Sequence, residues 1–86
     1  MVSVKVKFLG MEDEKLDSKV FTVRTGGTLP EAIKAIEEAS GFPLSSKLNK
    51  DYGMLVNGRS YYLLQKKGFV LSEGDKLVII PKLGGG

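Results

Sequence analysis

The stretch that most constrains this chain is its last dozen residues, Asp75-Lys76-Leu77-Val78-Ile79-Ile80-Pro81-Lys82-Leu83-Gly84-Gly85-Gly86. Leu77 to Ile80 is a continuous aliphatic run, the pattern of a strand buried within a sheet. Pro81 closes the run, and the glycines beyond it have no Cβ and are costly to order. Three extended residues reach about 10 Å, the depth of an enzyme pocket. The reactive group at their end is the α-carboxylate of Gly86. The expectation is a domain over residues 1–83 whose last strand anchors a flexible glycine tail, 84–86.

Composition removes most catalytic chemistries. Eighty-six residues suffice for a single core. There is no cysteine, hence no disulfide, thiolate nucleophile or thiolate metal ligand. There is no histidine either, which removes the usual general base and metal ligand. The opening Met1-Val2-Ser3-Val4-Lys5 lacks the continuous apolar core of a signal peptide. No apolar run approaches the roughly 20 residues that cross a bilayer. A cytoplasmic protein with no membrane partner is expected. The net charge of +3 comes from scattered lysines without an arginine cluster, which argues against a nucleic-acid partner. Glu12, Asp13 and Glu14 read as a solvated acidic loop, and no metal site or bound cofactor is expected.

Val2, Val4, Val6 and Phe8 alternate with Ser3, Lys5 and Lys7, the period of a strand with one wet face. Lys5 and Lys7 are read as that wet face. Gly10 to Ser18 is polar and reads as a loop. Lys19 to Thr25 is β-branched and aromatic, a second strand pairing antiparallel with the first, with Phe21 and Val23 on one face and Val20, Thr22 and Arg24 on the other. Gly26-Gly27 ends it. Thr28-Leu29-Pro30-Glu31 is a helix start: Thr28 caps, Glu31 completes a capping box, and Pro30 fits the first turn. Leu29, Ala32, Ile33, Ile36 and Ala39 recur at helical spacing. Gly41 is a C′ residue, and Pro43 bars continuation.

Phe42 to Asp51 carries no decisive pattern. Tyr52 to Val56 reads as a short strand, Asn57-Gly58 as a two-residue hairpin turn, and Arg59 to Leu64 as the answering strand. Gln65 to Gly68 and Ser72 to Asp75 read as turns, and Lys76 to Pro81 as the last strand. A helix after a hairpin must cover one face of the sheet. The fold class expected is therefore α+β: a mixed sheet of four to five strands with one main helix across a face, the last strand parallel to the first. Val4, Val6, Ile33, Ile36, Leu77 and Ile79 form the expected core. Val78 and Ile80 then point outward, a partner surface that Tyr62 or Phe69 would extend.

The pattern Val56-Asn57-Gly58-Arg59, then Leu71-Ser72-Glu73-Gly74-Asp75, then Leu77-Val78-Ile79-Ile80-Pro81 and a closing Gly85-Gly86 resembles the small sulfur-carrier family of MoaD/ThiS type. That family comprises the molybdopterin synthase small subunit, the thiamine sulfur carrier and related ubiquitin-like proteins. The order of elements matches over the whole chain, and the specific motifs lie in residues 55 to 86. Lys82 stands where the molybdopterin branch usually carries a second proline, and the tail has one glycine beyond the minimal pair.

The resemblance implies a β-grasp fold and a carrier rather than an enzyme, with possible membership of a synthase complex beside a large subunit. It implies that the Gly86 carboxylate is adenylated by a ubiquitin-activating-type partner and converted to a thiocarboxylate, foremost for molybdopterin biosynthesis. Conjugation through Gly86 to lysines, and sulfur transfer to a tRNA base, are the alternatives. Leu83, Gly84 and Gly85 are expected to bind the partner together with Val78 and Ile80, the pair that strand parity turns outward. The chemistry agrees: an α-carboxyl of pKa about 3.5 is ionised and a poor electrophile until activated. The chain has no phosphate-binding loop, so ATP is expected to be used by the partner, and with no cysteine the sulfur must come from elsewhere. A third reading is an interaction domain whose tail is incidental.

Overall fold

The computed structural model describes residues 1–48 and 50–82. Strand β1 (Val2–Phe8) buries Val4, Val6 and Phe8 and exposes Lys5 and Lys7, as period-2 alternation requires. Strand β2 (Val20–Thr25) pairs with it antiparallel, Val4 opposite Val23 and Val6 opposite Phe21. The connection ends in a bulge at Ser18, whose φ is 61°: the Ser18 amide donates to the Phe8 carbonyl, while the Phe8 amide donates to the Lys19 carbonyl. The loop before it is less solvated than its sequence suggests, because Met11 is buried and Leu16 packs against the core.

Helix α1 (Leu29–Ser40) begins at the expected cap. The Glu31 amide donates to the Thr28 hydroxyl at 3.3 Å, and that hydroxyl donates to the Glu31 carboxylate at 2.7 Å. It stops at Gly41, φ 76°, whose amide reaches the Glu37 carbonyl. Leu29, Ala32, Ile33 and Ile36 form its buried face. The stretch from Phe42 to Asp51 contains a short helix, α2 (Leu44–Lys47), and Leu44 and Leu48 are buried.

Strand β3 (Tyr52–Val56) turns at Asn57 and Gly58, both at positive φ, into β4 (Arg59–Ser60). The expected strand from Arg59 to Leu64 is corrected here. After two paired residues the chain becomes helix α3 (Tyr61–Lys66), which takes in Gln65 and Lys66 and leaves the turn to Lys67 and Gly68. Tyr61 and Leu64, three residues apart, are both buried; on a strand they would face opposite sides. Burial of that pair overrides the β-propensity of Tyr61 and Tyr62.

Strand β5 (Lys76–Pro81) lies between β1 and β3 in a sheet ordered β2-β1-β5-β3-β4. It runs parallel to β1 and antiparallel to β3. Helix α1 covers one face, and Val4, Val6, Ile33, Ile36, Leu77 and Ile79 share the core. This is the β-grasp arrangement.

Candidate functional site

The site is built around the C-terminal end of β5, where the chain leaves the sheet. Pro81 pairs with Tyr52, and beyond it the Lys82 amide donates to the Asp51 carbonyl at 2.8 Å. On the other flank the Leu9 amide donates to the Ile79 carbonyl at 2.9 Å. Gly10, φ 69°, comes so close that a Cβ there would sit 3.2 Å from the Pro81 ring. Beneath this end, edge-to-face contacts link Phe21 to Phe8, Phe8 to Phe42 and Phe42 to Tyr52, with centroids 5.2–5.8 Å apart. The point of departure is thus fixed by a ladder on each side and an aromatic floor.

The other end of β5 is held by a hydrogen-bonded clip. The Lys76 amide donates to the Asn57 side-chain oxygen, the Asn57 amide donates to the Lys76 carbonyl, and the Asn57 side-chain NH₂ donates to Asp75. The second Asp75 oxygen accepts from the Ser72 amide at 2.7 Å. Asn57 therefore does more than shape its turn: it sets the depth at which β5 enters the sheet.

Leu77 and Ile79 are fully buried, while Val78 and Ile80 are half-buried on the face away from α1. Val78 stands opposite Leu55, and Ile80 opposite Gly53. Because Gly53 has no side chain, a hollow of about 420 Å³ opens beside Ile80, lined also by Leu55, Ser60, Tyr61, Tyr62 and Lys82. Tyr62 is about half exposed at its rim, its ring under the Lys66 ammonium at 4.5 Å. Phe69 does not extend this surface; it packs against the core. Gly53 was not singled out from the sequence, although a lone glycine inside a strand is the available signal for an open or closely approached spot.

Leu83, Gly84, Gly85 and Gly86, the remaining residues expected at the site, lie outside the described residues. Among the described residues there is no acidic cluster able to hold a metal, and no helix is long and apolar enough to cross a membrane.

A five-stranded β-grasp sheet whose central strand delivers the chain beside an apolar hollow defines a ubiquitin-like protein. The chain belongs to the ThiS family, whose model matches residues 6–86. It is accordingly a small protein of the ubiquitin-like sulfur-carrier type. SAMP1 from Haloferax volcanii is similar at 25% identity and a TM-score of 0.71, over 98% of this chain and 99% of that one. The small archaeal modifier protein 1 from Methanosarcina acetivorans shares the fold at 19% identity and a TM-score of 0.71, over 100% and 98% of the two chains. The Haloferax volcanii HVO 2177 protein shares it at 20% identity and a TM-score of 0.64, over 99% and 87%. No curated protein sequence matches this chain.

Proposed function

We propose that this protein carries an activated C-terminus: a ubiquitin-activating-type partner adenylates the Gly86 carboxylate, and a sulfur nucleophile then converts it to a thiocarboxylate. The carboxylate attacks the α-phosphorus of ATP and pyrophosphate leaves. Sulfide-level sulfur then displaces AMP from the acyl carbon. The observation that carries this reading is that the family match runs through residue 86, taking in the whole glycine run beyond β5. The pinned exit at Pro81 and Lys82 supports it, because a probe that threads a narrow channel needs a fixed base. ATP is used by the partner, which docks on the hollow beside Ile80 and on Val78. A large synthase subunit and a pterin precursor as sulfur acceptor are the first assignment; a thiazole precursor and a tRNA base are acceptors of the same chemistry.

The name small archaeal modifier protein, borne by SAMP1, favours a second reading. In it a lysine amine attacks the same adenylate, giving an isopeptide and AMP.

The absence of cysteine gives a clean test. Protein isolated from its native host is treated with iodoacetamide under conditions selective for sulfur, and the C-terminal peptide is examined by mass spectrometry. One adduct, on Gly86, is expected for the carrier; lysine residues bearing the C-terminal glycines are expected for the modifier. Freshly isolated protein with neither product contradicts both readings.

A further inference from the structure

The two ladders that hold β5 end at different points. On the β3 side the contact runs past the strand, from the pairing of Pro81 with Tyr52 to the Lys82 amide on the Asp51 carbonyl. On the β1 side the Lys5 and Leu9 amides donate to the Asp75 and Ile79 carbonyls, so alternate residues of β5 serve β1. Residue 81 is next in that series, and as proline it has no amide to give. The donor that would tie the chain to β1 past Ile79 is therefore missing. Gly10 stands there instead. A Cβ on Gly10 would sit 3.2 Å from both Cγ and Cδ of Pro81. Gly10 is itself held from both sides. Leu9 is bonded to Ile79, while Met11 is buried in the core and its amide donates to the Asp17 carboxylate at 3.2 Å. The Ser18 amide closes the loop on the Phe8 carbonyl at 2.7 Å.

We propose that Gly10 is a positioning residue for the chemistry at Gly86: its backbone is the stop against which the Pro81 ring rests, and it sets the direction in which the chain leaves the sheet. This role rests on the reading that a partner activates the Gly86 carboxylate. Gly10 answers two separate demands. Its φ of 69° is a demand of the turn, which asparagine also meets at modest cost. Its missing Cβ is a demand of the Pro81 ring, and this one bears on the aim of the tail. Four extended residues beyond Lys82 span about 13 Å, so a tilt of about 5° at their base moves the far end by about 1 Å. A partner seated on the hollow beside Ile80 holds the body of the protein, so rotating the whole domain does not correct such an error. The carboxylate is displaced instead.

The test is Gly10→Asn, assayed as partner-dependent pyrophosphate release from ATP over a range of carrier concentrations. The kcat should fall by about tenfold or more while KM for the carrier stays within about twofold, because the docking face is untouched. Pro81→Ala removes the ring from an unaltered turn and restores a donor toward Leu9, so it should lower kcat in the same way. In a Pro81→Ala background, Gly10→Asn should change kcat no further, since the ring it displaces is gone. Amide exchange gives a readout that needs no partner. The Lys82 amide should exchange about tenfold faster in Gly10→Asn, with Leu77 and Ile79 as protected as in the parent. A melting curve checks that each variant is folded. The assignment is overturned by a parent-like kcat and Lys82 exchange in Gly10→Asn, by an equal loss of kcat in both backgrounds, or by a rise in KM alone. No pyrophosphate release with the parent chain would overturn the activation reading, and this role with it.

Discussion

Gly53 stands directly opposite Ile80 in the ladder between β3 and β5, and its missing side chain leaves the sheet face open beside the exit of the chain. A Cβ on Gly53 would meet nothing within 4 Å, and its backbone does not need the left-handed region. The glycine is therefore not required by the fold. A glycine in a strand interior gives up packing and entropy relative to a β-branched residue, so some other property of this position keeps the hollow open.

Gly53→Val separates folding from docking. The variant should melt at the same temperature as the parent or higher, as strand propensity favours valine. Its activation by the adenylating partner should fall by about tenfold or more, since the new side chain fills the space beside Ile80. Pyrophosphate release at limiting carrier concentration, together with a melting curve, reads both effects.

Gly26→Ala tests the start of α1. A side chain there would overlap the Glu31 carboxylate, which holds the Thr28 hydroxyl. A loss of less than about 1 kcal/mol is expected, because the carboxylate can swing aside and the Thr28 hydroxyl keeps its bond from the Glu31 amide. In a Glu31→Ala background the same change should cost much less. Denaturant unfolding of the four proteins in this cycle measures the coupling.

The helical assignment of Tyr61–Lys66 makes a pairwise prediction. Leu64→Ala should cost about 2–5 kcal/mol, as for buried aliphatic residues. Leu63→Ala, at a position 60% exposed, should change stability by less than about 0.5 kcal/mol. Were this segment a strand in the same ladder, Tyr62 and Leu64 would share a face and truncating either would cost similarly. Chemical denaturation of Tyr62→Ala, Leu63→Ala and Leu64→Ala distinguishes the two arrangements.

These contrasts show which parts of the fold could be read in advance. The alternation of Val4, Val6 and Phe8, the Thr28–Glu31 cap and the Asn57-Gly58 turn are local devices whose residues act on their own backbone, so sequence alone identifies their elements. Helix α3 reads as a strand in the sequence because six residues are too few to display a helical period, and Tyr61 and Tyr62 carry strand propensity. Only the packing of Tyr61 and Leu64 into the core decides it. Met11 lies among charged neighbours that read as a solvated loop, yet it is drawn into the core. At the candidate site, the outward parity of Val78 and Ile80 follows from that of Leu77 and Ile79. The hollow between Gly53 and Tyr62 depends on which strand lies next to β5, a nonlocal fact that no single segment carries.

The most direct test of the proposed chemistry compares the full chain with a variant lacking Gly86, at equal concentration, in partner-dependent release of pyrophosphate from ATP. Deletion draws the carboxylate back by about 3.5 Å, whereas displacement by about 1 Å can already cost a hundredfold in rate. The account predicts turnover with the full chain, a loss of about a hundredfold or more in the variant, and an unchanged melting temperature for both. Equal pyrophosphate release by the two proteins would contradict it, because the carboxylate of Gly86 would then not be the reacting group.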